Sequence, residues 1–141
     1  MEWYKAKLTV ATQKKGMTDF TALVEQHLRA SGIQEGMCFL YIQHTSASLV
    51  ISESYDKTAQ MDMESYMEHA VPEGEGWYRH TLEGRDDSPS HIRAMLTNTS
   101  LSIPIEEGRL ALGTWQGIYL FEHRKRGHTR HVLIRCMGVP E

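Results

Sequence analysis

The sequence predicts an α+β domain built around a large antiparallel sheet in two packed layers. Three observations lead there. Helical patterns are confined to the first two-thirds of the chain, and from Ser100 onward every apolar segment has strand length. Short connections carrying glycine, Glu106–Gly108 and Lys125–Gly127, read as hairpin links. No alternation of strand and helix persists, which argues against a parallel, doubly wound sheet.

Each element has a local reason. Tyr4, Ala6, Leu8 and Val10 alternate with Lys5, Lys7 and Thr9, the period of a half-buried strand, which Gly16 ends. Thr18 is placed to cap a helix whose buried face is Phe20, Leu23, Val24 and Leu28, with Gly32 closing it. Met37–Ile42 and Ala47–Ile51 are compact apolar strands, and polar Gln43–Ser46 lies where they meet or where one strand bends. Thr58–Ala70 carries Met61, Tyr66, Met67 and Ala70 among acids and reads as an amphipathic helix before Pro72. Gly74–Arg85 is a loop. Ser88 at the N-cap and Pro89 at the first helical position then begin a helix burying Ile92, Met95 and Leu96. Leu101–Ile105, Arg109–Gly113, Gly117–His123 and His131–Met137 complete the strands.

The totals bound the function. At 141 residues the chain fits one domain, 1–141, and a hydrophobic fraction of 40% with 23% charged residues excludes disorder. A net charge of −3 gives no general attraction to nucleic acid or to an anionic membrane. No apolar run approaches the roughly 20 residues of a membrane span, and the first residues lack a signal-peptide core, so a cytoplasmic location is expected. Cys38 and Cys136 sit in apolar runs without CxxC spacing and read as small core hydrophobes in a reducing compartment.

Among 8 histidines, His44, His80 and His91 stand at element edges beside hydroxyl or carboxylate side chains, where a scaffold aims groups into a cleft. Three imidazoles converging on a point would hold zinc or a similar divalent ion. Their spacing matches no HExxH or HxH pair, and on spacing alone local hydrogen bonding of each ring is the favoured account. His27, His69, His128 and His131 read as surface residues. Glu83, Asp86 and Asp87 precede a helix start, where the dipole favours one carboxylate but does not require three; neighbouring carboxylates also hold magnesium beside phosphates. Arg124, Lys125, Arg126, Arg130 and Arg135 form a basic run with no carboxylate among them, either a phosphate site or a solvated face. In Gly113-Thr114-Trp115-Gln116-Gly117, two glycines flank a Trp-Gln pair within apolar segments. That pattern marks a bend or a close approach to the backbone, although a bulged strand with a core Trp is the simpler account.

Taken together, these strings resemble the YjbQ family, also called the secondary thiamine-phosphate synthase family. The matching segments are His44-Thr45-Ser46-Ala47-Ser48-Leu49, Asp62-Met63-Glu64, Tyr78 with His80, Glu83-Gly84, Asp86-Asp87, Pro89-Ser90-His91-Ile92, Ser100-Leu101 with Ile103-Pro104, Gly113–Gly117, Glu122-His123-Arg124 and Arg130. They run collinearly through nearly the whole chain. Departures are Lys57 after Asp56, Ser52 and Ser54 around Glu53, and Ser88.

The resemblance implies a jelly-roll-like two-layer sheet, a homotrimer and a histidine-rich pocket that takes a metal. It also implies thiamine-phosphate synthesis, in which a pyrimidine diphosphate joins a thiazole phosphate and pyrophosphate leaves. On this basis His44, His80 and His91 are the expected metal ligands, for zinc or magnesium, with His123 touching substrate or solvent. Glu83, Asp86 and Arg124 are the expected catalytic residues. Trp115 would stack on a heteroaromatic ring, Gln116 would bind its edge, and Arg130 would assist Arg124 on diphosphate oxygens. The partner is a phosphorylated small molecule. The alternatives are a metal-dependent hydrolase with Glu83 or Glu53 as general base, or a non-enzymatic trimer that binds a metal or small molecule.

Overall fold

A computed structural model describes residues 1–141. The chain runs β1 (Glu2–Ala11), β2 (Lys14–Asp19), α1 (Thr21–Ser31), β3 (Glu35–Ile42), β4 (Ala47–Glu53), α2 (Lys57–Ala70), α3 (Asp87–Leu96), β5 (Ser100–Glu106), β6 (Arg109–Leu110), β7 (Gln116–Arg126) and β8 (Thr129–Val139). Two antiparallel sheets form, ordered β1-β8-β3-β5-β6 and β2-β7-β4. This is the α+β, antiparallel two-layer arrangement that the sequence predicts.

The layers meet through alternation. Leu40, Ile42, Val132 and Ile134 of the larger sheet share one buried cluster with Ala47, Leu49, Ile118 and Leu120 of the smaller, and α1 adds Val24 and Leu28. Truncating any of these leucines to alanine would cost about 2–5 kcal/mol. The second face of β7 has its own cover: Tyr119 and Phe121 pack with Met17 and Met67, the latter from α2. β7, apolar on both faces, is therefore covered on both sides within one chain.

Four local expectations are corrected. Thr18 does not cap α1, because Lys14–Asp19 forms a strand on β7; the Asp19 carboxylate instead accepts from the Thr21 N–H at 2.9 Å. Gly16 does not end a strand but sits at the β2 bulge with φ +132°, a conformation that side chains resist. α3 begins at Asp87 with Asp86 at the N-cap, two residues before the expected Ser88-Pro89 start. β7 and β8 do not form a hairpin, since they belong to different sheets. The link between them passes so close to the β1–β2 connection that a Cβ on Gly127 would lie 1.9 Å from the Thr12 carbonyl oxygen.

No helix is long and apolar enough to cross a membrane.

Candidate metal centre

Three segments meet at one end of the fold: the turn 44–46 between β3 and β4, the loop before α3, and the first turns of α3. Between them lies an open cleft of about 530 Å³ lined by His44, Thr45, His80, His91, Ala94, Met95 and Thr99. Asp87 anchors its chemistry. The side chain is buried, with Oδ2 2.7 Å from His80 Nε2 and Oδ1 3.1 Å from His91 Nε2. One donor atom from each of His80, Asp87 and His91 lies within 4.8 Å of the other two.

The helix makes half of this group. Asp87 and His91 are four residues apart on α3, so they share one face one turn apart. His91 Nδ1 donates to the Thr45 carbonyl at 2.8 Å, which turns Nε2 toward the carboxylate. Both imidazole nitrogens then face acceptors. A doubly protonated ring satisfies that arrangement, and so does a cation between Nε2 and Asp87. Two imidazoles plus a buried carboxylate, with His91 and Asp87 each oriented by an outer partner, suit zinc or a related transition ion better than magnesium, which prefers oxygen donors.

His44 lines the same cleft, but its nitrogens are engaged elsewhere. Nε2 accepts the His131 backbone N–H at 2.8 Å, and Nδ1 faces Arg130 Nη1 at 3.4 Å. Burial, and then the Arg130 charge, lower its pKa and keep the ring neutral. The structure thus brings His80 and His91 together with Asp87 in the place expected for His44. The i,i+4 spacing of Asp87 and His91 was the available sequence signal for this third residue.

Arg124 is close to the group, yet its guanidinium is committed. Nε donates to Asp86 Oδ2 at 3.0 Å, Nη1 to Asp87 Oδ1 at 3.1 Å, and Nη2 to the Glu83 carbonyl at 3.0 Å. Burial alone would raise the Asp86 pKa; Arg124 and the Lys125 N–H overcome that and hold it at about 2. Asp86 and Arg124 therefore fix the loop that presents His80 and Asp87. Glu83 contributes its backbone here, and its exposed carboxylate makes no hydrogen bond or ion pair.

Arg130 is also committed. Its side chain is buried and paired through Nε and Nη2 with Glu122, which is fully buried, and Nη2 also reaches Ser46 Oγ at 3.0 Å. Burial opposes charge on Glu122, but Arg130, Thr12 and the Arg124 N–H lower its pKa. His123 does not reach solvent. It is fully buried with Nε2 2.8 Å from Ser48 Oγ, and burial followed by the Arg93 charge pushes its pKa down to about 3.

Trp115 and Gln116 lie at the opposite end of β7, about 26 Å along the strand from Arg124. Trp115 is 54% exposed and packs edge-on against Tyr55, with ring centroids 4.8 Å apart. Gln116 Oε1 accepts the Gly113 N–H at 2.8 Å, closing the turn. Glu53 stands at this end too, at the close of β4. The structure therefore does not bring the aromatic motif and the histidine cleft together in one chain.

Comparison with known proteins agrees with this architecture throughout. Residues 6–139 match the family described as UPF0047 protein YjbQ-like. A UPF0047 protein of Synechocystis is 45% identical over 131 residues, covering 93% of this chain and 89% of that protein. UPF0047 protein YjbQ of Escherichia coli O157:H7 is 39% identical over 137 residues, covering 96% and 99%. The crystal structure of a protein of unknown function from Sulfolobus solfataricus superposes with a TM-score of 0.88 at 26% identity, covering 97% of this chain and 98% of that one. A Clostridium acetobutylicum structure described as YjbQ/UPF0047 family gives 0.86 at 33% identity, covering 94% and 99%. Matched by the family over residues 6–139 and 45% identical to a member along nearly its whole length, the chain belongs to the UPF0047 family of YjbQ-like proteins.

Proposed function

We propose that this protein is a metal-dependent enzyme acting on a phosphorylated small molecule at the His80–Asp87–His91 cleft, and that the reaction is thiamine-phosphate formation. The observation that carries the reading is the convergence of two imidazole nitrogens and a buried carboxylate at the mouth of an open cleft. A divalent ion bound there would supply positive charge for diphosphate oxygens. Thr45 orients His91, and Arg124 orients Asp87 and anchors the loop bearing His80. The family resemblance supplies the particular reaction, the joining of a pyrimidine diphosphate to a thiazole phosphate.

Assembly as a homotrimer belongs to the same proposal. Leu82 is 99% exposed two residues from His80, Trp77 is exposed three residues before it, and Met95 is exposed in the cleft lining, which supports cover from a neighbouring subunit. Stacking of a substrate ring on Trp115 would then involve the Trp115 of another subunit.

One observation favours a second reading, hydrolysis. Arg124 and Arg130 both donate to carboxylates within the chain, so neither guanidinium is free to grip a leaving diphosphate, while the Glu83 carboxylate is free to serve as a base.

Phosphorus NMR of protein supplied with zinc, manganese or magnesium and both heterocyclic phosphates separates these readings. Pyrophosphate appearing together with thiamine phosphate supports the synthase. Inorganic phosphate without coupling supports the hydrolase. Activity that survives chelation, or that persists unchanged in Asp87→Asn and His91→Ala, removes the site from either reaction.

A further inference from the structure

Cys38 on β3 and Cys136 on β8 are direct register partners at the centre of the larger sheet, and both are fully buried. Their place in the ladder follows from a hydrogen bond farther along it. The Gln43 N–H donates to the His131 carbonyl at 3.2 Å, continuing the same register. Hydrogen-bonded and non-hydrogen-bonded pairs alternate in an antiparallel ladder. Cys38 is an odd number of positions from Gln43, so Cys38 and Cys136 occupy a non-hydrogen-bonded pair.

At such a pair the Cα atoms stand about 4.5 Å apart and the side chains are at their closest. That separation lies within the roughly 4.4–6.8 Å that disulfides span.

We propose that Cys38 and Cys136 form an oxidisable dithiol, which a peroxide closes to an intrachain cross-strand disulfide. Interaction between the two sulfurs, together with burial, raises the Cys38 pKa, while the same interaction lowers that of Cys136 against the effect of burial, making Cys136 the attacking sulfur. The Cys136 thiolate attacks one peroxide oxygen, the O–O bond breaks, and hydroxide leaves with the electron pair. The resulting sulfenic acid condenses with the Cys38 thiol and loses water. Overall, two thiols and one hydrogen peroxide give one disulfide and two waters. Because both sulfurs are buried, oxidation proceeds through local parting of β3 and β8, and the finished bond is shielded from bulky reductants. It would tether the two strands that bracket α2, α3 and the cleft.

The test treats the full chain with hydrogen peroxide at a temperature where hydrogen exchange reports opening of the β3–β8 amides. N-ethylmaleimide in denaturant then blocks free thiols, and peptides are mapped without reduction. The expected result is a linked Cys38–Cys136 peptide, no maleimide on either residue, and reversal by a phosphine. The unfolding midpoint should rise by about 5 °C or more, because the cross-link restricts the unfolded chain. Two alkylated thiols despite amide opening would overturn the proposal. So would sulfinic or sulfonic acid as the main product, or chains linked to one another. The rise in midpoint must also vanish in Cys38→Ser; its persistence would assign it to methionine oxidation and reject the disulfide as its cause.

Discussion

Asp87 Oδ1 stands 3.1 Å from His91 Nε2 across a single turn of α3, and the same oxygen receives Arg124 Nη1 from β7 at 3.1 Å. One carboxylate therefore joins the cleft to the central strand of the smaller sheet. Its orientation depends on a residue that touches no histidine.

Arg124→Gln should accordingly weaken metal binding without removing a ligand. Loss of an outer-shell partner typically lowers metal affinity about 10–100-fold. Cobalt titration followed by its visible absorption would measure this, with Asp87→Asn as the variant that removes the ligand itself. Equal cobalt affinity in wild type and Arg124→Gln would show that Asp87 holds its position unaided.

The Asp86–Arg124 pair also sets a pH dependence. The Asp86 pKa is depressed from an ordinary 3.8 to about 2, so the folded state favours its charged form. The stabilisation is present above pH about 4 and is lost as pH falls toward 2. Unfolding midpoints recorded through that window should fall more steeply for wild type than for Arg124→Gln. Parallel profiles would mean that the pair does not contribute.

Removing one member of the Glu122–Arg130 pair should be severe. Both side chains are buried, and Arg130→Met would leave the Glu122 carboxylate uncompensated beneath the 44–46 turn. Breaking such a pair from one side costs about 3–5 kcal/mol. Urea unfolding would measure it. Replacing both residues by apolar ones of similar volume should recover much of the loss.

Trp115→Ala should behave in the opposite way. The indole is half-exposed, and its main aromatic contact is Tyr55, a pairing worth about 0.5–1.5 kcal/mol. A core tryptophan would cost about 3–5 kcal/mol. A loss of roughly 1 kcal/mol, with strong quenching of Trp115 emission by acrylamide in a Trp3→Phe, Trp77→Phe background, is the expected outcome.

The strands were legible where apolar residues alternated or ran together, as in β1, β3 and β7. β2 was not, because Lys14–Asp19 is mostly polar and owes its extended form to pairing with β7. The start of α3 was misread because Ser88-Pro89 is a strong local start signal. Here the helix is entered two residues earlier, at carboxylates that Arg124 ties down. His80 and His91 could be nominated from their positions at element edges. The roles of Arg124 and Arg130 could not, since a guanidinium reads as a free cation until the fold supplies its acceptor. Arg124 meets Asp86 across 38 residues of chain, and the partner of Arg130 lies on the next strand back, in the other sheet.

The two-sided burial of β7 bears on where this fold tolerates changes in length. Inserting or deleting one residue in the strand would exchange its faces, turning Glu122 away from Arg130 and His123 toward it, and would carry Arg124 off the loop it anchors. The exposed stretch from Gly74 to Trp77 meets no such constraint, because the chain is held on either side, by Glu73 paired with Lys125 and by the Tyr78 hydroxyl on the Pro72 carbonyl. Divergence in length among proteins of this fold should therefore collect in that loop, beside the cleft, where it would reshape the entrance while leaving His80, Asp87 and His91 in place.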